Sequence, residues 1–168
     1  MMRTFIIFVS LFICIEISAQ QTDLRLLSKQ ERNEYLLNLA TEIVLNYGPD
    51  FYRPELPPKI SGAKTYRELD ANNDGLRKRL GQRYYLVTFS YDKKKELLHE
   101  DFAARIRIWE NDGEPSLAEF GTGVGRHFFL KSYWQLKKEG IKPEDKVKYS
   151  QSKLKLYMAG RIKEDELY

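Results

Sequence analysis

The chain has 168 residues, with 28 lysines and arginines against 24 aspartates and glutamates and a formal net charge of +4. That length supports one domain with a real core and excludes two of ordinary size. A single cysteine excludes an internal disulfide framework, and the modest positive balance is compatible with an anionic partner such as an envelope surface but is too weak to argue for one, nucleic acid included.

The chain starts as a leader. Met1-Met2-Arg3 is a short positive start, residues 5–17 are almost continuously apolar, and Ala19 supplies a small residue at which a signal peptidase can cut before Gln20. This three-part pattern predicts a secretory signal peptide over 1–19. A retained anchor fits less well, because the apolar run is shorter than the roughly 20 residues of a span and Glu16 interrupts its end. Lipidation at Cys14 would require a smaller residue than Ile13 in front of it. Cutting after Ala19 removes Arg3 and Glu16 together, so the charge balance is kept, and it removes the only cysteine. The expectation is an exported protein, periplasmic or extracellular, with no thiol chemistry, no stable membrane span after processing and one domain over 20–168.

Ser28-Lys29-Gln30-Glu31 has the spacing of a capping box, in which Ser28 accepts from a free backbone N–H and Glu31 reaches back. The periodicity predicts a helix over 28–47. Leu36, Leu37, Leu39, Ala40, Ile43, Val44 and Tyr47 fall on one side, and Gly48-Pro49 ends it. Residues 48–58 carry Pro54, Pro57 and Pro58 and read as a stiff surface connector. Residues 59–69 alternate weakly around Gly62, which makes them an edge strand.

The centre of the chain predicts an antiparallel sheet. Residues 82–92 place Tyr85, Val87, Phe89 and Tyr91 on one face and Tyr84, Leu86, Thr88 and Ser90 on the other, as a central strand requires. Residues 101–110 send Phe102, Ala104, Ile106 and Ile108 inward and Ala103, Arg105, Arg107 and Trp109 outward. A slip of one position would bury both arginines, so the register is well specified. Asn111-Asp112-Gly113-Glu114-Pro115 is a hairpin turn, and a third run ends in Gly121-Thr122-Gly123-Val124-Gly125. Residues 128–139 read either as a short helix stopped by Gly140 or as the end of the third strand. A closing hairpin is expected from 146–149 and 153–159, with a charged tail over 161–168.

One covering helix followed by an antiparallel meander over 28–125 resembles the cystatin-like and NTF2-like α+β folds in its order of elements. The resemblance implies architecture alone. No cystatin protease-blocking motif is evident, no NTF2-like enzyme signature matches residue by residue, and fold by itself transfers no function.

Several constellations are candidates for chemistry. Asp70-x-Asn72-x-Asp74-Gly75 matches the first half of a calcium loop, yet the position where an EF-hand places its bidentate Glu is Gly81, and Arg77, Lys78 and Arg79 intervene. A solvated turn accounts for the same residues. Gly121, Gly123 and Gly125 with Arg126 and His127 form a candidate anion contact, set against a strand bulged where another backbone packs closely. Arg105, Arg107 and Trp109, with Tyr84 across the strand pair, form a candidate aromatic and basic interaction surface unless the C-terminal elements cover Trp109 and the arginines are simply the solvated face. Lys146, Lys148, Lys153 and Lys155 either attract an anionic surface or merely protect a sheet edge. His99 has no second histidine at helical spacing, and no nucleophile elbow or distinct carboxylate pair is present. The expected function is therefore an exported, non-catalytic binding or interaction domain of the cell envelope. The alternative is a small-ligand or enzymatic NTF2-like domain whose pocket, between helix and sheet, would be lined by Tyr85, Phe89, Tyr91 and Phe128.

Overall fold

Helix α1 spans Lys29–Tyr47, and Ser28 caps it as the spacing predicts: its hydroxyl accepts from Glu31 N–H while the Glu31 carboxylate accepts from Ser28 N–H at 2.9 Å. The computed structural model describes residues 22–67, 74–150, 159–161 and 163. The expected leader with Cys14, the positions of Asp70 and Asn72, and residues 153–158 of the expected closing strand lie outside them. Among the described residues no helix is long and apolar enough to cross a membrane.

The chain is α+β. The short strands β1 (Lys59–Ile60) and β2 (Lys64–Thr65) both pair with β3 (Arg83–Phe89). Beyond β3 the antiparallel sheet continues through β4 (Ala104–Trp109), β5 (Pro115–Phe120) and β6 (Gly125–His127). The expected edge strand is thus split in two at Ser61-Gly62. The Ser61 N–H still donates to Leu86 O at 2.9 Å, and the Ser61 hydroxyl takes the Leu86 N–H at 3.0 Å, so a side chain stands in for a missing ladder partner. Register follows the alternation: Tyr84 lies opposite Trp109, Leu86 opposite Arg107 and Thr88 opposite Arg105.

The core is the layer between α1 and the inner sheet face. Leu36, Ala40, Ile43, Val44 and Tyr47 of α1 are fully buried against Val87, Phe89, Ile106, Ile108, Ala118 and Phe120. Each large apolar side chain so enclosed contributes about 1.5–3 kcal/mol, which holds the helix where propensity alone would not. The aromatics expected to line a cavity under the helix are part of this packing, since Tyr85, Phe89 and Phe128 are all buried in it.

Four expectations need correction. Phe102 does not join this core. It is buried beneath the Arg105 guanidinium, 4.1 Å from its ring, and Ala103 joins the core instead, because regular alternation begins only at Ala104. The proline connector is not purely superficial: its turn Pro49–Phe51 buries Phe51 against Phe120, with ring centroids 5.2 Å apart. The glycine-rich run is the turn of a hairpin and not the end of one strand, and it leads into β6. Residues 146–149 form no strand. Val147 N–H donates to Tyr47 O and Tyr149 N–H to Asp50 Oδ2, which straps this segment to the end of α1.

After β6, helix α3 (Tyr133–Glu139) is capped by Ser132, which forms a capping box with Gln135, and Gly140 at φ +87° ends it. Tyr133 is buried and donates to Glu42 while accepting from Asn46 at 3.1 Å, so α3 is fastened to α1. At the other end, Thr22 and Leu24 donate backbone N–H groups to Asp112 O (3.0 Å) and Glu110 O (2.9 Å), clipping the start of the described chain onto the β4–β5 hairpin.

Candidate functional site

Alternation along β4 turns Arg105, Arg107 and Trp109 to the sheet face opposite α1, as expected. The surface they form is covered, however. Trp109 is 2% exposed, with Tyr66 and Tyr84 edge-on to its indole at centroid separations of 5.4 and 5.9 Å. Tyr66 is held there by its backbone, donating to Gln82 O at 2.8 Å and accepting from Gly81 N–H at 3.0 Å, with Gly81 at φ +78° turning the chain. Leu76, from the short helix α2 (Asp74–Arg77), and Phe129 complete this second cluster.

The basic members are largely engaged. Arg107 lies over the rings of Tyr66 (5.4 Å) and Tyr84 (5.3 Å), and its buried Nε has no hydrogen-bond partner. Arg105 pairs with Glu119 at 2.9 Å across β4 and β5. The expected flat platform is therefore a small outer core with cationic edges, covered among the described residues by Tyr66, Leu76 and Phe129.

In the glycine segment two of the backbone N–H groups that an anion would use are engaged within the protein. Gly121 N–H donates to Ala103 O at 2.8 Å, and Gly123 N–H donates to Phe120 O at 2.9 Å in the hairpin turn. Arg126 pairs with Asp145 at 2.9 Å and lies 5.7 Å over the Tyr47 ring, while His127 packs on Phe129 at 5.1 Å. The bulge reading explains Gly121 itself: a Cβ there would meet Phe102 O at 2.6 Å. Lys146 and Lys148 are exposed around a shallow groove of about 400 Å³ that also holds Glu144 and Asp145, so its charge is mixed. His99 sits beside Glu100 at 3.3 Å on the surface. Of the half calcium loop, Asp74 is placed only as the backbone start of α2. Among the described residues no group of three or more His, Cys, Asp or Glu is arranged to hold a metal.

What the structure does assemble is a cleft of about 380 Å³ beside Trp109, between the β4–β5 turn, the residues after α2 and the entry to α3. Its walls are Trp109, Phe128, Phe129 and Leu130, and its polar groups include Lys78, Arg79, Glu114, Ser132 and Gln135. Arg79 is fixed by Asp112 at 2.5 Å and lies 5.2 Å over the Trp109 ring. Glu114 is half-buried, and its Oε1 is enclosed without a hydrogen-bond partner. Burial pushes the Glu114 carboxyl above the usual glutamate range; the Ser132 hydroxyl and Arg79 pull it back, while Asp112 adds to the rise. At the rim Leu130 is 91% exposed.

Sequence reasoning reached Trp109 but missed the rest of this cleft. Glu114 was concealed in a turn whose composition already explained it. The one available signal for the opposite wall was Ser132-x-x-Gln135, a second capping box that fixes where α3 begins and therefore where Phe128, Phe129 and Leu130 stand before it. The chain matches no family model, no curated protein and no solved structure.

Proposed function

We propose that this is an exported, non-catalytic binding domain of the cell envelope and that it binds at the outer sheet face, through the cleft beside Trp109 and its Leu130 rim. In finer terms, one helix laid across an antiparallel meander supports a cystatin-like or NTF2-like arrangement. The leader pattern of residues 1–19 supports export. The observation that carries the binding reading is Leu130, an almost fully exposed leucine at the mouth of a cleft with an aromatic wall and an unsatisfied carboxylate oxygen.

The test uses two leucines of similar exposure in different places. Protein starting at Gln20 and fixed to beads is expected to retain a component of an envelope extract. Leu130→Asp should lose it, and Leu26→Asp, at a leucine 83% exposed but not among the cleft's lining residues, should keep it. Retention that is absent, or equally affected by both substitutions, overturns the reading. Fractionation of cells making the full chain tests export separately, and recovery of the uncut protein in the cytoplasm would refute it.

A further inference from the structure

The charge arrangement of the cleft selects among ligands. A cation entering it would approach Glu114 but meet Lys78 and Arg79, whereas an anion would approach those two but meet Glu114, with Asp112 behind it. A neutral molecule avoids both conflicts. Its hydroxyls can donate to the half-buried Glu114 carboxylate, which lines the cleft, and can accept from the Lys78 ammonium and the Gln135 amide. The Gln135 side-chain oxygen is already engaged by Ser132 N–H at 3.0 Å, so the group it has left to offer is its NH2. Phe129 and Leu130, backed by the buried Trp109 and Phe128, supply an apolar edge suited to the C–H face of a ring. A volume of about 380 Å³ lies within the range of small-molecule sites, roughly 300–1,000 Å³.

We infer that the cleft is a carbohydrate seat, taking one or two neutral pyranose units with Glu114 as the acceptor that orients them. This rests on the reading of the outer face as the binding surface and adds to it the chemical class of the ligand.

The experiment is a titration of the protein starting at Gln20 with glucose, galactose, mannose, N-acetylglucosamine and their β-linked disaccharides, followed by amide and indole chemical shifts. At least one sugar is expected to give saturable shifts at the Gln135 side-chain amide and at Trp109, with an affinity little changed by added salt because the ligand is neutral. Glu114→Ala should weaken it at least about tenfold, the effect of losing a hydrogen bond to a charged group. Glu114→Gln, which keeps an acceptor oxygen, should retain most of it. Loss of binding in Glu114→Gln as complete as in Glu114→Ala, or strong weakening by salt, would overturn the neutral-ligand assignment. Absence of any sugar-dependent shift at the cleft overturns the carbohydrate assignment, and if Leu130-dependent retention on beads persists in that case, the binding-domain reading stands while the ligand class falls.

Discussion

At Trp109 the register of β4 sends the indole away from α1, and the rings of Tyr66 and Tyr84 close over it, so a residue on the outward face is nonetheless 2% exposed. Trp109→Ala is therefore expected to cost about 3–5 kcal/mol in chemical denaturation, as large aromatic truncations in packed sites do, whereas Leu130→Ala should stay within about 0.5 kcal/mol. If Trp109→Ala proves nearly neutral, the outer cluster is not a core. Glu114 makes a separate prediction in pH. Burial raises its carboxyl above the unfolded value of 4.5, so between that value and the folded one the native state holds the proton more tightly than the unfolded chain. Stability contributed by the protonated form is complete below 4.5 and falls as pH rises through the folded value. Glu114→Gln cannot ionise. Its melting temperature relative to that of the wild type should rise from pH 4.5 to the folded value and level off above it, and a difference that is constant with pH would show that burial does not raise this carboxyl.

The glycines separate positions where close approach is required from positions where it is not. Gly121 sits where a Cβ would meet both Phe102 O and Leu98 Cδ1 at 2.6 Å, and Gly48 where it would run into the Phe120 ring. Gly62 has open space around it and no positive φ. Gly121→Ala and Gly48→Ala should each lose about 1–3 kcal/mol through overpacking, while Gly62→Ala should be neutral or slightly stabilising; thermal melts of the three variants check this order. The same contrast shows what was legible in the sequence. Helix α1 was readable because its cap, its apolar face and its glycine stop are all local signals, and β3 and β4 were readable because alternation fixes their faces. Phe102 was misassigned because an irregularity before Ala104 leaves no mark in alternation, and residues 146–149 were misassigned because alternating lysines resemble an edge strand when their actual partners, Tyr47 O and Asp50, are about a hundred positions away. At the candidate site, Trp109, Arg107 and Tyr84 were legible as a set. Their cover was not, since Tyr66, Leu76 and Phe129 arrive from three separate stretches of chain.

On the scale of the molecule, the sheet carries packing on both faces, and one short clip ties its β4–β5 hairpin to the first described residues. Leu24 is fully buried in the main core, Thr22 and Leu24 donate to Asp112 O and Glu110 O, and the Tyr35 hydroxyl donates to Gly113 O at 3.2 Å from the helix side. Asp112 also anchors Arg79, so the clip, the hairpin and the cleft share one residue. A protein beginning at Gln20 keeps this arrangement, and one beginning at Arg25 loses it. Removing Leu24 forfeits about 1.5–3 kcal/mol of burial, and the two backbone hydrogen bonds add about 1 kcal/mol each. At roughly 2–4 °C per kcal/mol for a domain of this size, the shorter chain should melt about 7–20 °C lower by calorimetry. Leu24→Ala in the longer chain should reproduce the burial part of that loss and leave the hydrogen bonds intact, so its drop should be smaller than that of the truncation. Equal melting temperatures for the chains starting at Gln20 and at Arg25 would show that the hairpin holds its shape unaided, and would remove the physical link between residues 22–24 and the cleft.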